Sequence, residues 1–158
     1  MININEQLDP LLRVNNGTPR PVTVGRKFLE QHPEIVVRYL AVLLRTAAWA
    51  EAHREQLLEL LVSEAGGAAN VAEVIASHGP NVHRSFFPKL TRGYIEGLDV
   101  QKNFLRDHGF LAGDFSVKDW IVAEPLAEAE RLVKREPKLF ELPATPPSSS
   151  LRAAVHAG

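Results

Sequence analysis

The chain has 158 residues, of which 45% are hydrophobic and 23% charged, enough for one ordinary globular core. A formal net charge of −1 argues against a dedicated binder of nucleic acid or of anionic membrane. The absence of cysteine excludes disulfide frameworks, thiolate zinc sites and cysteine nucleophiles, while leaving the compartment open.

The first residues, Met1-Ile2-Asn3-Ile4-Asn5, lack the basic start and apolar run of a secretory leader, so the chain as written is expected in the cytoplasm. Residues 1–24 show no helical period and carry Pro10, Gly17, Pro19 and Pro21, so an extended or crossover segment is expected there. Leu11–Val14 and Val22–Val24 are the two candidate strands, the second confined to an edge by the prolines before it. Between them, Asn15, Thr18 and Arg20 offer hydrogen-bonding groups and a cation to a ligand. The same loop also reads as a plain polar turn, because Asn16-Gly17 is turn chemistry in any loop.

From Gly25 to residue 137 the period becomes 3.6. A short turn over Arg26–Gln31 must stop before Pro33, which then starts a long helix. On that helix Ile35, Tyr39, Val42, Thr46 and Trp49 are spaced by 4, 3, 4 and 3, and Val36, Leu40, Leu43, Leu44 and Ala47 widen the apolar surface. Only the Arg38–Arg45 edge reads as wet, so the helix is expected between two covering layers. A second helix, about Glu55–Ala65, carries Leu57, Leu58, Leu61 and Val62 and stops at Gly66-Gly67. Asn70 and Glu73 predict a capping box for a helix with Val71, Val74 and Ile75 on one face, closed by Gly79-Pro80.

Thr91 caps a longer predicted helix carrying Tyr94, Ile95, Leu98, Phe104 and Leu105. Gly109 ends it, with Phe110 and Leu111 placed for the usual apolar contact. Ser116 and Asp119 predict a single turn holding Trp120. The last helix, about Glu124–Glu136, turns Leu126, Ala129, Leu132 and Val133 inward and pairs Glu130 with Lys134 outside. Residues 138–158, with Pro143, Pro146, Pro147 and Ser148–Ser150, read as a disordered tail.

Chemistry-bearing arrangements are sparse. His78 and His83 flank Gly79-Pro80-Asn81 without a carboxylate to complete a metal site. Ser85 with Asp107-His108 lacks the strand-to-helix setting of a serine nucleophile. His53, His78 and His108 instead suit the last turns of helices. Arg84, Lys89 and Arg92 interleaved with Phe86 and Phe87 make a small basic-aromatic patch, but the charge balance speaks against nucleic acid as a partner. No catalytic residue and no cofactor are expected.

Four segments taken in order carry a resemblance: Phe28-Leu29-Glu30-Gln31-His32-Pro33-Glu34; Ala47-Ala48-Trp49-Ala50-Glu51-Ala52-His53; Gln101-Lys102-Asn103-Phe104-Leu105; and Phe115-Ser116-Val117-Lys118-Asp119-Trp120-Ile121. Together they resemble the carboxy-terminal part of ABC-transporter solute-binding proteins of the nitrate, sulfonate and taurine type, over about residues 20 to 130. The related aromatic sulfinate desulfinases are equally similar. The resemblance implies the carboxy-terminal portion of a two-lobed α/β periplasmic-binding-protein (type II) fold, here mainly α with a short extended amino-terminal segment. It also implies an exported family working with an ABC permease, and a small sulfonate-like organic anion as solute. The expected product is a truncated, non-catalytic binding protein retaining at most Asn15, Thr18 and Arg20 as ligand contacts. The alternatives are part of a desulfinase-like hydrolase, or a helical module that homodimerises through exposed apolar faces. The desulfinase nucleophile has no counterpart, since the chain has no cysteine.

Overall fold

The computed structural model describes residues 9, 11, 14, 19–66, 68–79 and 81–140. Among these the protein is mainly helical and contains no strand. Seven α-helices follow one another: α1 (Arg26–Gln31), α2 (Pro33–Ala52), α3 (Arg54–Glu64), α4 (Val71–His78), α5 (Arg92–Asp107), α6 (Val117–Trp120) and α7 (Glu124–Arg135). Single 3-10 turns occupy Val82–Ser85 and Pro137–Phe140.

Most helix ends obey local chemistry. Asn70 and Glu73 close the reciprocal capping box of α4, with Glu73 N–H donating to Asn70 Oδ1 at 3.1 Å and Asn70 N–H to Glu73 Oε2 at 2.7 Å. Thr91 and Ser116 accept from Tyr94 and Asp119 N–H at the starts of α5 and α6. Gly109, at φ 76°, ends α5 in the left-handed region, and Phe110 N–H reaches back to the Leu105 carbonyl at 2.8 Å. Phe110, expected to make the apolar contact after the glycine, is 72% exposed.

Helix α2 organises the packing. Its Val36, Leu40 and Ala41 meet Ala129 of α7 in one buried cluster, with Leu126, Leu132 and Val133 packed against it. The inward face predicted for α7 is thus the face that packs. Outside, Arg131 pairs with Glu124 and Glu128, both at 2.8 Å, in place of the expected Glu130–Lys134 pair. The far end of α2 supplies Ala50 to a second cluster with Leu57 and Leu58 of α3, Val74 of α4 and Val82 of the 3-10 turn. The four α3 leucine and valine positions expected inward all touch this cluster.

Several expectations are corrected. Of the candidate strand Leu11–Val14, Leu12 and Arg13 lie outside the described residues, and its two ends are not extended partners of a ladder: Asp9 Oδ1 accepts the Leu11 N–H at 2.9 Å, and Val14 N–H returns to the Leu11 carbonyl at 3.3 Å. Val22–Val24 runs without turn or bend, but no ladder forms, because no described strand lies beside it. The line Ile35, Tyr39, Val42 and Thr46 is exposed, with α7 covering the opposite side of α2; Tyr39 remains 54% accessible. Val71, Tyr94 and Phe104, on the apolar faces predicted for α4 and α5, are exposed as well. Lys138–Phe140, expected in the tail, instead belong to the 3-10 turn Pro137–Phe140, which packs on α7 and α2. Residues 141–158 lie outside the described residues.

Candidate functional site

The residues from Arg20 to Val24 leave the α5 region and run alongside α1 and α2. Pro19 is buried, and its ring lies 3.4 Å from where a Cβ on Gly97 of α5 would stand. A Cβ there would meet the ring at the near limit of ordinary contact, so Pro19 packs closely on α5 immediately before Arg20.

Between this segment and the helices lies a shallow cleft of about 570 Å³, within the size range of small-molecule sites. Arg20, Val22 and Val24 line it from the segment, and Phe28, Ile35 and Tyr39 from α1 and α2. The lining is apolar apart from the guanidinium, the Thr23 hydroxyl and the Tyr39 hydroxyl. Arg20 makes no hydrogen bond or ion pair with another described residue, and its planar fork of donors matches the geometry of a carboxylate- or sulfonate-shaped anion. Of the three residues expected to contact ligand, Arg20 is at the cleft; Asn15 and Thr18 lie outside the described residues. The apolar lining was not anticipated as a site. Its residues on α2, Ile35 and Tyr39, belong to the apolar line whose spacing predicts core.

The two later resemblance segments meet at a polar hub. Lys102, whose side chain is only 10% exposed, donates to Asp114 Oδ1 at 2.7 Å and to the Phe115 carbonyl at 3.1 Å. Arg106 reaches Asp114 Oδ2 at 2.9 Å, and Phe115 packs edge-on against Trp120 at 6.0 Å. The Asp114 carboxyl is held below the usual carboxylate range, first by the Lys102 hydrogen bond and then by the Phe115 N–H, with the Lys102 and Arg106 charges adding to both. A depressed carboxylate contributes stability above its ordinary pKa and loses that contribution as acid protonates it. Trp120 emission is therefore expected to shift as pH falls from about 5 to below the ordinary aspartate value near 3.9, as the hub releases Phe115. Asp114→Asn should show the shifted emission already at neutral pH and lose this acid transition; an unchanged transition in the variant would place its origin elsewhere.

Other candidate groups resolve into structural roles. His108 Nδ1–H donates to the Phe104 carbonyl at 2.9 Å, and Asp107 is paired with Arg106, so these two do not form the Asp–His pair of a relay. His53 Nδ1–H donates to the Trp49 carbonyl at 3.0 Å in the same manner. Each of these imidazoles also stacks on the aromatic ring one turn before it. In the basic-aromatic patch, Arg92 pairs with Glu96 at 2.6 Å and Lys89 sits over Tyr94, which leaves Arg84 without a basic neighbour free to act with it. No group of three or more His, Cys, Asp or Glu able to hold a metal ion occurs among the described residues, and none of their helices is long and apolar enough to cross a membrane. Trp49 Nε1, Gln56 Oε1 and His83 Nδ1 are buried without a hydrogen-bond partner.

No family model, curated protein or solved structure matches the chain. The functional reading therefore rests on the residues themselves.

Proposed function

We propose that this chain is the carboxy-terminal portion of a two-lobed α/β solute-binding protein of the sulfonate, nitrate and taurine type, a non-catalytic binder of small organic anions. The observation that carries the reading is Arg20, without a partner among the described residues, in the lining of the apolar cleft on the segment that precedes the helices. Two further features support it. The order of the four resemblance segments is matched by contact between the last two, through Lys102 and the Asp114–Phe115 pair. The uncovered line on α2 is what remains when a helix built for two covering layers has one.

A single guanidinium on a shallow, partly apolar wall supplies weak affinity, on the order of 1 mM for a small sulfonate, or about −4 kcal/mol. Titration of ethanesulfonate followed by amide chemical shifts is expected to perturb the Arg20–Val24 segment saturably. The perturbation should disappear in Arg20→Gln and weaken with salt. Equal perturbation of wild type and Arg20→Gln, or none in either, would remove the basis for the anion reading.

A further inference from the structure

The two buried clusters draw on α1, α2, α3, α4, α7 and the Val82–Ser85 turn, and no residue from Phe86 to Val122 belongs to either. Of that stretch only Gly97, Leu98 and Val117 are buried. Its own parts are nevertheless tied together. Lys102 of α5 holds Asp114 Oδ1 and the Phe115 carbonyl, Arg106 holds Asp114 Oδ2, and Phe115 packs on Trp120 of α6. A unit bound inside itself but outside both cores has little shared apolar area to fix it to the remaining helices.

Chain links without helix, Phe86–Leu90 and Ile121–Ala123, join this unit to the rest. A further attachment is the approach of the amino-terminal segment: Cδ of Pro19 and a methyl of Val14 each lie 3.4 Å from the Cβ position of Gly97. Pro19 is buried, whereas every residue from Arg20 to Val24 is exposed, so the proline is where this segment is seated. A side chain longer than a methyl at residue 97 would overlap the ring.

We infer that α5 and α6 form a hinged arm, pivoting at Phe86–Leu90 and Ile121–Ala123, and that Pro19 and Val14 seated at Gly97 are the latch that holds it closed. Short non-helical links absorb the change in backbone angles, while the ties of Lys102 and Arg106 to Asp114 keep the arm in one piece. Opening of the arm reaches the cleft through Pro19, the residue before Arg20. The inference is independent of the solute reading, because its test uses no ligand.

The chain has no cysteine, so spin labels can be placed in pairs on cysteine variants of the full chain. Ala48→Cys on α2 with Lys118→Cys on α6 spans the remaining helices and the arm. Ala48→Cys with Glu130→Cys lies within the remaining helices, and Arg92→Cys with Lys118→Cys lies within the arm; all four positions are exposed. In Pro19→Gly, which removes the ring, the spanning distance distribution is expected to broaden by about twofold or more, with both internal pairs unchanged. Gly97→Leu, which fills the seat from the other side and favours helix formation, should do the same. The two substitutions act on different elements, so a folding defect in one leaves the other as the test. Spanning distributions as narrow as in wild type in both variants would overturn the latch. Equal broadening of the arm pair would overturn it too, by showing that α5 and α6 come apart instead of swinging together. So would equal broadening of the pair on α2 and α7, the sign of a general loosening.

Discussion

Ala129→Leu is expected to destabilise the protein by about 2–3 kcal/mol, seen as a lower denaturation midpoint by circular dichroism. Ala129 has no accessible surface and sits in one cluster with Ala41, likewise fully buried, and with Val36 and Leu40 of α2. Two methyl-sized side chains in that cluster leave α7 room to lie close on α2, so three added heavy atoms must push the helices apart or force neighbours off their rotamers. In a domain of this size the loss corresponds to roughly 4–12 °C in Tm. Ala48→Leu, on an exposed position of α2, is the matched control and should stay within about 0.5 kcal/mol of wild type. If both substitutions cost the same, the α2–α7 contact is not the one that sets stability.

Trp49→Ala is expected to cost about 3–5 kcal/mol, the range for truncating a large aromatic packed on a core. The indole packs against the cluster of Ala50, Leu57, Leu58, Val74 and Val82, and stacks on His53 with ring centroids 5.0 Å apart. Its Nε1 is buried without a partner, so the ring contributes by area and stacking, against the cost of a desolvated donor. Trp49→Phe removes that donor while keeping an aromatic face, and should therefore cost less than half as much as the alanine substitution. His53→Ala, which removes the hydrogen bond to the Trp49 carbonyl, should cost about 1 kcal/mol. Urea unfolding of the three variants orders them; equal losses in Trp49→Phe and Trp49→Ala would mean that the indole N–H is the stabilising group.

Both predictions concern α2, where sequence and structure diverge most. Its boundaries were legible because Pro33 can only begin a helix and His53 interrupts the apolar pattern before α3. Its orientation was not. A helix apolar on nearly every side gives periodicity no preferred direction, and Ile35–Tyr39–Val42 competes evenly with Val36–Leu40–Ala47 for the core. In α7 the opposite holds: a narrow apolar face bordered by Glu124, Glu128 and Arg131 leaves one way to pack, and that way is observed. Phe104 shows the same limit from another side. Its spacing fits an inward face of α5, but among the described residues α6 is the main helix packed on α5, so the ring lies exposed against His108.

The candidate site was legible only in its charged member. Arg20 was identifiable because a lone cation in a polar, proline-rich loop has no helix partner to pair with. Val22, Val24, Phe28 and Tyr39 come together from three elements, and no local pattern announces that convergence. The capping residues, glycine stops and proline starts were determined by the sequence itself, since each depends on hydrogen bonds and dihedral limits within a few residues. Which side of α2 is covered, whether Val22–Val24 has a strand beside it, and where Lys102 finds Asp114 were decided by the tertiary structure alone. Those outcomes depend on which apolar surfaces and backbone groups find a partner distant in sequence, and burial rewards any such pairing that excludes water.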